Sequence, residues 1–201
     1  MDHNKILGVV LAGGKSQRFG KDKSQIKLNN KLLIDYILSE IIDDFKEVLI
    51  VANNSINHLT SSKITKIKDF EKNLGPLGGV FTAMKWINEN KKNYQWISTF
   101  PADTPFFKIE MLKGFYKRIN IKESELFFMK SNEKRHNIFG LWSMNLMTQL
   151  KNDLNNGSRK VETWANNNSV NVIDIITENR NSFFNINTPD DLEIAKKILN
   201  D

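Results

Sequence analysis

Short, continuously apolar runs alternate along this chain with longer stretches in which apolar residues return every three or four positions. Residues 6–11 (ILGVVL) are such a run, halted by a glycine pair, and predict a strand buried on both faces. Within 31–44, Leu32, Leu33, Tyr36, Ile37, Glu40 and Ile41 recur at helical spacing and predict a helix. Residues 47–51 and 64–68 predict two further strands. Residues 80–90 predict a helix with Val80, Ala83, Met84 and Ile87 on one face, and 96–100 a strand stopped by Pro101. The second half is less regular. Strands are predicted at 126–129, 139–143 and 170–175, the second suited to an antiparallel insertion, while the polar stretches 152–158 and 166–169 predict loops. At the end, Thr188 as N-cap, Pro189 at the first helical position and Asp190 and Asp191 in the first turn announce a helix. Its predicted buried face is Leu192, Ala195, Ile198 and Leu199.

Strands separated by helices of this length imply right-handed crossovers. The expected fold is therefore α/β: a mostly parallel β-sheet flanked by helices, with a small antiparallel insertion, in a single domain over residues 1–201. No internal repeat and no Pro- or Ser-rich linker interrupts it.

Composition changes this picture little. A chain of 201 residues, 40% hydrophobic and 26% charged, is long enough to bury roughly 70% of its unfolded surface. The absence of cysteine excludes disulfide scaffolds and thiolate metal sites, and histidines at 3, 58 and 136 are too dispersed for zinc. The net charge of +6 is spread over the whole chain. Without a basic tail or an aromatic-basic stripe it argues against nucleic acid and suits a small polyanionic substrate or a plain solvated surface. No apolar stretch approaches the roughly 20 residues that span a bilayer. The 6–12 run also lacks signal-peptide flanks, with Asp2 beside Lys5 before it and glycines and charge behind it. The expectation is a cytoplasmic monomer that binds neither nucleic acid nor membrane.

The chemistry concentrates in "LAGGKSQRFGKDKS" (11–24), where a glycine pair, an arginine and three lysines follow the first strand. Neither a Walker A loop nor Gly-x-Gly-x-x-Gly fits this spacing. Gly13 and Gly14 let main-chain N–H groups approach a phosphate that a Cβ would block. Arg18 offers paired N–H donors and Lys23 a compact charge. The loop also sits at the carboxyl end of a strand, where open α/β sheets bind ligands. A glycine pair alone is equally a surface turn. As a whole, however, the stretch resembles the signature loop of nucleotidyltransferases that join a nucleoside triphosphate to a phosphorylated acceptor and release pyrophosphate. Among them it is most similar to the molybdenum cofactor guanylyltransferases, which join GMP to molybdopterin.

That resemblance implies a Rossmann-like fold and a nucleotide site containing Leu11, Ala12, Gly13, Gly14 and Lys23, with Arg18 and Lys23 catalytic on the triphosphate. "PADTPFF" (101–107) resembles the family's second signature, in which Asp103 is catalytic and holds Mg²⁺ between triphosphate and acceptor. A turn residue between two prolines is the plainer alternative. "KDFEKNLGPLGGV" (68–80) resembles the stretch where Asp69 contacts the nucleotide and a Gly-Pro-Leu turn opens a helix, although a simple helix start also covers the turn. Residues 48–54 match more loosely, with Asn53 as a nucleotide contact. "FFNINTPDDL" (183–192) resembles the closing signature, in which Asn185 and Asn187 face the site on the acceptor side. "RHNIFGLW" (135–142) and "NGSRKV" (156–161) resemble acceptor segments, the latter bringing Arg159 and Lys160 to the pterin's phosphate. The chain departs from the family pattern at Phe19, the single Gly20, Val51 and Asn137.

The implied activity is transfer of GMP from GTP to the phosphate of molybdopterin, bare or molybdenum-loaded, with Mg²⁺ as cofactor. The N-terminal half would bind nucleotide and the C-terminal half acceptor, with a molybdoenzyme or chaperone as delivery partner. Transfer from CTP to molybdopterin, transfer to a sugar phosphate, and a non-catalytic nucleotide-binding adaptor remain open at this point.

Overall fold

A computed structural model describes residues 2–13, 26–53, 56, 59–71, 73–177 and 179–200. Gly14, Arg18, Phe19, Gly20 and Lys23 of the glycine-rich loop therefore lie outside the described residues. The elements run β1 (Ile6–Leu11), β2 (Lys27–Leu28), β3 (Lys31–Leu32), α1 (Leu33–Ile41), β4 (Val48–Val51), β5 (Ile64–Ile67), α2 (Gly75–Glu89) and β6 (Trp96–Pro101). They continue with α3 (Ile109–Arg118), β7 (Leu126–Ser131), β8 (Lys134–Ser143), α4 (Met147–Asn155), α5 (Val161–Asn167), β9 (Asn171–Asp174) and α6 (Pro189–Asn200).

Seven strands form one sheet in the order β5-β4-β1-β6-β8-β7-β9, with β2 and β3 a separate hairpin. All neighbours are parallel except that β8 runs antiparallel to both β6 and β7. The sheet is thus mostly parallel with one reversed strand, as the alternation of runs implied. Its apolar strands are continuous because both faces are covered. Ile6 and Val10 of β1 pack under α1 and α3 through Ile34, Ile37, Ile41, Met111 and Phe115. Leu7 and Val9 face the other way, toward Leu77, Val80 and Met84 of α2 and, beyond them, α4 and α5. A smaller cluster joins α6 to the hairpin through Ala195, Leu28, Leu33, Phe106 and Ile186.

Both hairpins turn on two residues with positive φ: Asn29 and Asn30 (45° and 66°) between β2 and β3, and Asn132 and Glu133 (47° and 61°) between β7 and β8. Two successive left-handed residues match the right-handed twist of the flanking strands, and asparagine tolerates that conformation better than most. Four expectations need correction. Helix α2 starts at Gly75, five residues before the predicted 80, because Pro76 is accepted in a helix's first turn. Residues 152–155 belong to α4 and 166–167 to α5, not to loops: their asparagines lie on outer faces while Leu150, Leu154 and Trp164 are buried. Helix α3 was not anticipated. On α6, Leu199 is exposed, and Leu192 and Ile198 are only partly buried.

Strand β8 carries an irregularity opposite Phe128 and Met129, which pair with Gly140 and His136 respectively. Residues 137–139 thereby bow out of the ladder, and Thr99 anchors the bow. Its hydroxyl donates to the Ile138 carbonyl at 2.5 Å and accepts from the Trp142 indole at 2.9 Å. Gly140 closes it, since a Cβ there would stand 2.3 Å from the Phe128 ring and 2.7 Å from the Phe127 carbonyl oxygen. Gly140→Ala is therefore expected to cost about 1–3 kcal/mol by overpacking. Urea unfolding should show the loss as a lower midpoint at unchanged slope; an unchanged midpoint would contradict the packing described here.

Candidate active site

Four parallel strands end on one line. The register pairs Ile67 with Val51, Val51 with Leu11, and Leu11 with Pro101. Pairing persists one residue further: Ala52 N–H donates to Ile67 (3.0 Å), Ala12 N–H to Val51 (2.9 Å) and Ala102 N–H to Leu11 (3.3 Å). Two residues past each aligned position come Asp69, Asn53, Gly13 and Asp103. They form a row across β5, β4, β1 and β6 at the carboxyl edge of the sheet. With neighbouring strands about 4.8 Å apart, the row is about 14 Å long. It straddles β1, the strand at which successive crossovers change direction, where open α/β sheets leave a crevice for ligands.

One end of the row is tightly fitted. Asn53 donates its amide to Asp69 Oδ2 at 2.8 Å. A Cβ on Gly13 would lie 2.8 Å from that same oxygen, and one on Gly79 of α2 would lie 2.9 Å from Leu11 Cδ2 and 3.8 Å from Asp69 Oδ1. Both glycines thus leave room for the Asp69 and Leu11 side chains as they stand, and Leu11, Gly13, Asn53, Asp69 and Gly79 are brought together. Burial pushes the Asp69 carboxyl above its ordinary pKa, opposed by the Asn53 hydrogen bond. Thr82 of α2 secures the corner, its hydroxyl accepting from Phe70 N–H at 3.0 Å and donating to the Gly78 carbonyl at 2.8 Å. Gly79 was matched to the Gly-Pro-Leu turn from the resemblance, whereas sequence reasoning missed Thr82, which no local signal marked.

At the other end, half-buried Asp103 follows β6 directly, with the Thr104 hydroxyl 3.5 Å from its Oδ1. The closing signature reaches it from 83 residues downstream, Ile186 N–H donating to the Asp103 carbonyl at 2.9 Å. Ile186 is fully buried while Asn185 and Asn187 are exposed on either side of it. The segment is tied off by a reciprocal cap on α6. Thr188 Oγ1 accepts from Asp191 N–H at 3.1 Å, and the Asp191 carboxylate accepts from the N–H groups of Asn187 and Thr188, each at 2.9 Å. Among the described residues no cluster of three or more His, Asp or Glu side chains suits a metal. Asp103 alone still fits a hard divalent cation of the magnesium type, which takes one or two carboxylates and fills its other positions with phosphate and water.

Arg159 and Lys160 lie between α4 and α5. The Arg159 guanidinium closes α4, donating to the carbonyls of Leu154 and Ser158, each at 2.7 Å. The Arg159 carbonyl lies against Gly75, 3.7 Å from where a Cβ would stand, so this loop borders the start of α2. Both residues are exposed, and among the described residues no contact joins them to Asn185 or Asn187. Asn137 accepts from Arg135 Nε at 2.6 Å, and Arg135 reaches on to Asn166 at 2.7 Å, tying the bow in β8 to α5. His136 stacks on Phe183 with ring centroids 3.7 Å apart and planes 11° apart. Those two residues are distant in sequence, and nothing in the spacing of the histidines pointed to the stack.

The family profile described as "MobA-like NTP transferase domain" matches residues 8–169. A molybdenum cofactor guanylyltransferase from Rhizobium leguminosarum bv. trifolii is 30% identical over 98% of this chain and 94% of its own. One from Nitrobacter hamburgensis is 25% identical over 95% and 93%. Among solved structures, molybdopterin-guanine dinucleotide biosynthesis protein A from Archaeoglobus fulgidus superposes with a TM-score of 0.79 over 96% of this chain and 98% of that one, at 23% identity. That last likeness bears on the fold.

Burial, helped by the nearby Lys134 charge, pulls the His136 pKa down from 6.5 to about 4. In the unfolded chain the ring takes a proton below pH 6.5, whereas in the fold it resists until about 4. The neutral ring's contribution to stability is therefore complete above pH 6.5 and is lost as the pH falls from there to 4. Thermal melts across that window should show a steeper fall for the native chain than for His136→Gln. Parallel curves would refute the assignment.

Proposed function

The chain belongs to the MobA-like NTP transferase family, and on that premise we propose that it transfers GMP from GTP to the phosphate of molybdopterin, releasing pyrophosphate. The row Asp69–Asn53–Gly13–Asp103 is the observation that supports this most. It offers a half-buried carboxylate and its amide partner to a nucleoside at one end and the Asp103 carboxylate to a cation at the other. Between them lies bare backbone, with the arginine and lysines of the glycine-rich loop following directly in sequence.

In this reading Asp69 and Asn53 seat the nucleoside and Asn53 holds the carboxylate in orientation. Leu11, Ala12, Gly13 and Gly14 let the triphosphate run close to the main chain, and Arg18 and Lys23 offset its charge. Asp103 would hold Mg²⁺, which supplies charge neutralisation on the phosphates when bound. The acceptor phosphate is already ionised at neutral pH and needs no covalent enzyme intermediate. The chain's work is then to align that phosphate with the α-phosphorus and to stabilise the charge that develops as pyrophosphate leaves. Asn185 and Asn187, carried to Asp103 by the Ile186 hydrogen bond, meet the acceptor, with Arg159 and Lys160 as its outer basic contacts. The N-terminal half thus serves the nucleotide and the C-terminal half the acceptor. The protein would act as a cytoplasmic monomer handing its product to a molybdoenzyme or chaperone.

Purified protein given molybdopterin, Mg²⁺ and each of GTP, CTP, UTP and ATP should release pyrophosphate with GTP. Release with CTP instead would reassign the base, and release with none would leave a nucleotide-binding adaptor. Asp103→Ala is expected to lower the rate at least about 10²–10³-fold by removing one charge-stabilising contact, with its circular dichroism and melting unchanged. Native turnover by that folded variant would overturn the role given to Asp103.

A further inference from the structure

The segment that carries Asn185 and Asn187 has no regular secondary structure from residue 183 to 188. Its downstream end is fixed by the α6 cap and its middle by the Ile186–Asp103 hydrogen bond. Its upstream end is fixed by aromatic packing at Phe183. That ring meets Phe139 edge-on at 5.0 Å and 81°, and Phe107 at 6.2 Å and 62°, while Phe107 and Phe139 stack on each other at 4.7 Å. These rings leave one flat face of Phe183 for His136, which covers it at 3.7 Å. The imidazole is itself held: its Nε2 shares a 2.8 Å hydrogen bond with the hydroxyl of buried Ser131, across the β7–β8 turn. The two partners of this contact come from segments far apart in sequence. His136 opens the bow in β8, and Phe183 opens the strap that ends on Asp103.

We propose that His136 is a positioning residue, its ring clamping Phe183 so that the 183–188 strap keeps Ile186 against the Asp103 carbonyl and holds Asn185 and Asn187 toward the acceptor. The inference rests on the function proposed above for its kinetic consequence and on geometry alone for the clamp. Stacking fixes the tilt of Phe183 in a way that a loosely packed apolar residue would not, because a flat contact at this separation leaves little room for rotation. A strap with few backbone hydrogen bonds of its own depends on such anchors. The nucleotide end of the row lies on the far side of Asp103 and shares no contact with the clamp among the described residues.

Amide hydrogen exchange tests the clamp without the reaction. His136→Ala should speed exchange at Ile186 by about 10-fold or more while the β1 and β4 amides keep their protection. His136→Phe, which keeps a flat ring but loses the Ser131 bond, should restore most of the Ile186 protection. Steady-state kinetics with GTP and molybdopterin then separate positioning from plain support. His136→Ala should lower kcat/KM for molybdopterin about 10–100-fold and leave MgGTP affinity within about twofold. Unchanged exchange at Ile186, or His136→Phe as impaired as His136→Ala, would overturn the clamp. Faster exchange with unchanged acceptor kinetics would make His136 merely structural and overturn the positioning role. Should the native protein transfer no nucleotide at all, the functional reading fails, and the exchange arm still decides the clamp.

Discussion

The hydrogen-bond register of four parallel strands is the constraint on which this structure depends. Backbone pairing sets Ile67, Val51, Leu11 and Pro101 level with one another, and everything placed two residues later inherits that alignment. A slip of one residue in any strand would turn its apolar side chains to the wrong face and move one member of the row out of line. Because helices cover both faces, such a slip would misplace buried residues at every position along the strand. The energetics of the core therefore guard the geometry of the site, though core and site share almost no residues.

Two kinds of fixture finish what the register begins. On the nucleotide end, glycine removes bulk: Gly13 and Gly79 permit Asp69 to come within contact of β1 and α2, and the short Asn53–Asp69 hydrogen bond keeps a half-buried carboxylate satisfied. On the acceptor end, aromatic rings add it. Phe100, Phe107, Phe139, Phe183 and His136 form one continuous set of edge and stacked contacts beneath the strap. Pairs of this kind contribute about 0.5–1.5 kcal/mol each beyond the area they bury. Asp103 stands where the two fixtures meet, its position in the row given by β6 and its carbonyl held by the strap.

Much of this was legible because the signals were local. The continuous run at 6–11, the helical spacing around 36–41 and the Thr-Pro-Asp-Asp start of α6 each report a preference that acts within a few residues, and each appears where its pattern indicated. Gly13 could be read from its place behind the first run, while Asn53, Asp69 and Asp103 were named from the resemblance of the stretches that carry them. Where local signals were weak or were countermanded, the reading failed. Asparagines in 152–155 and 166–167 suggested loops, but they occupy the outer faces of α4 and α5, whose few buried residues decide the helices. Arg159 donates to the carbonyls that end α4, a helix the polar run concealed.

What the chain's order of residues settled alone was the kind of element at each strongly patterned stretch and the chemical class of the residues at strand ends, since backbone preference and side-chain charge travel with the residue. The three-dimensional fold decided which of those residues meet. Asn53 and Asp69 are 16 residues apart, His136 and Phe183 are 47 apart, and Ile186 finds Asp103 from 83 residues away. Contacts at such separations form only after loops have closed and strands have paired, so they are properties of the packed sheet and leave no periodic trace in the sequence.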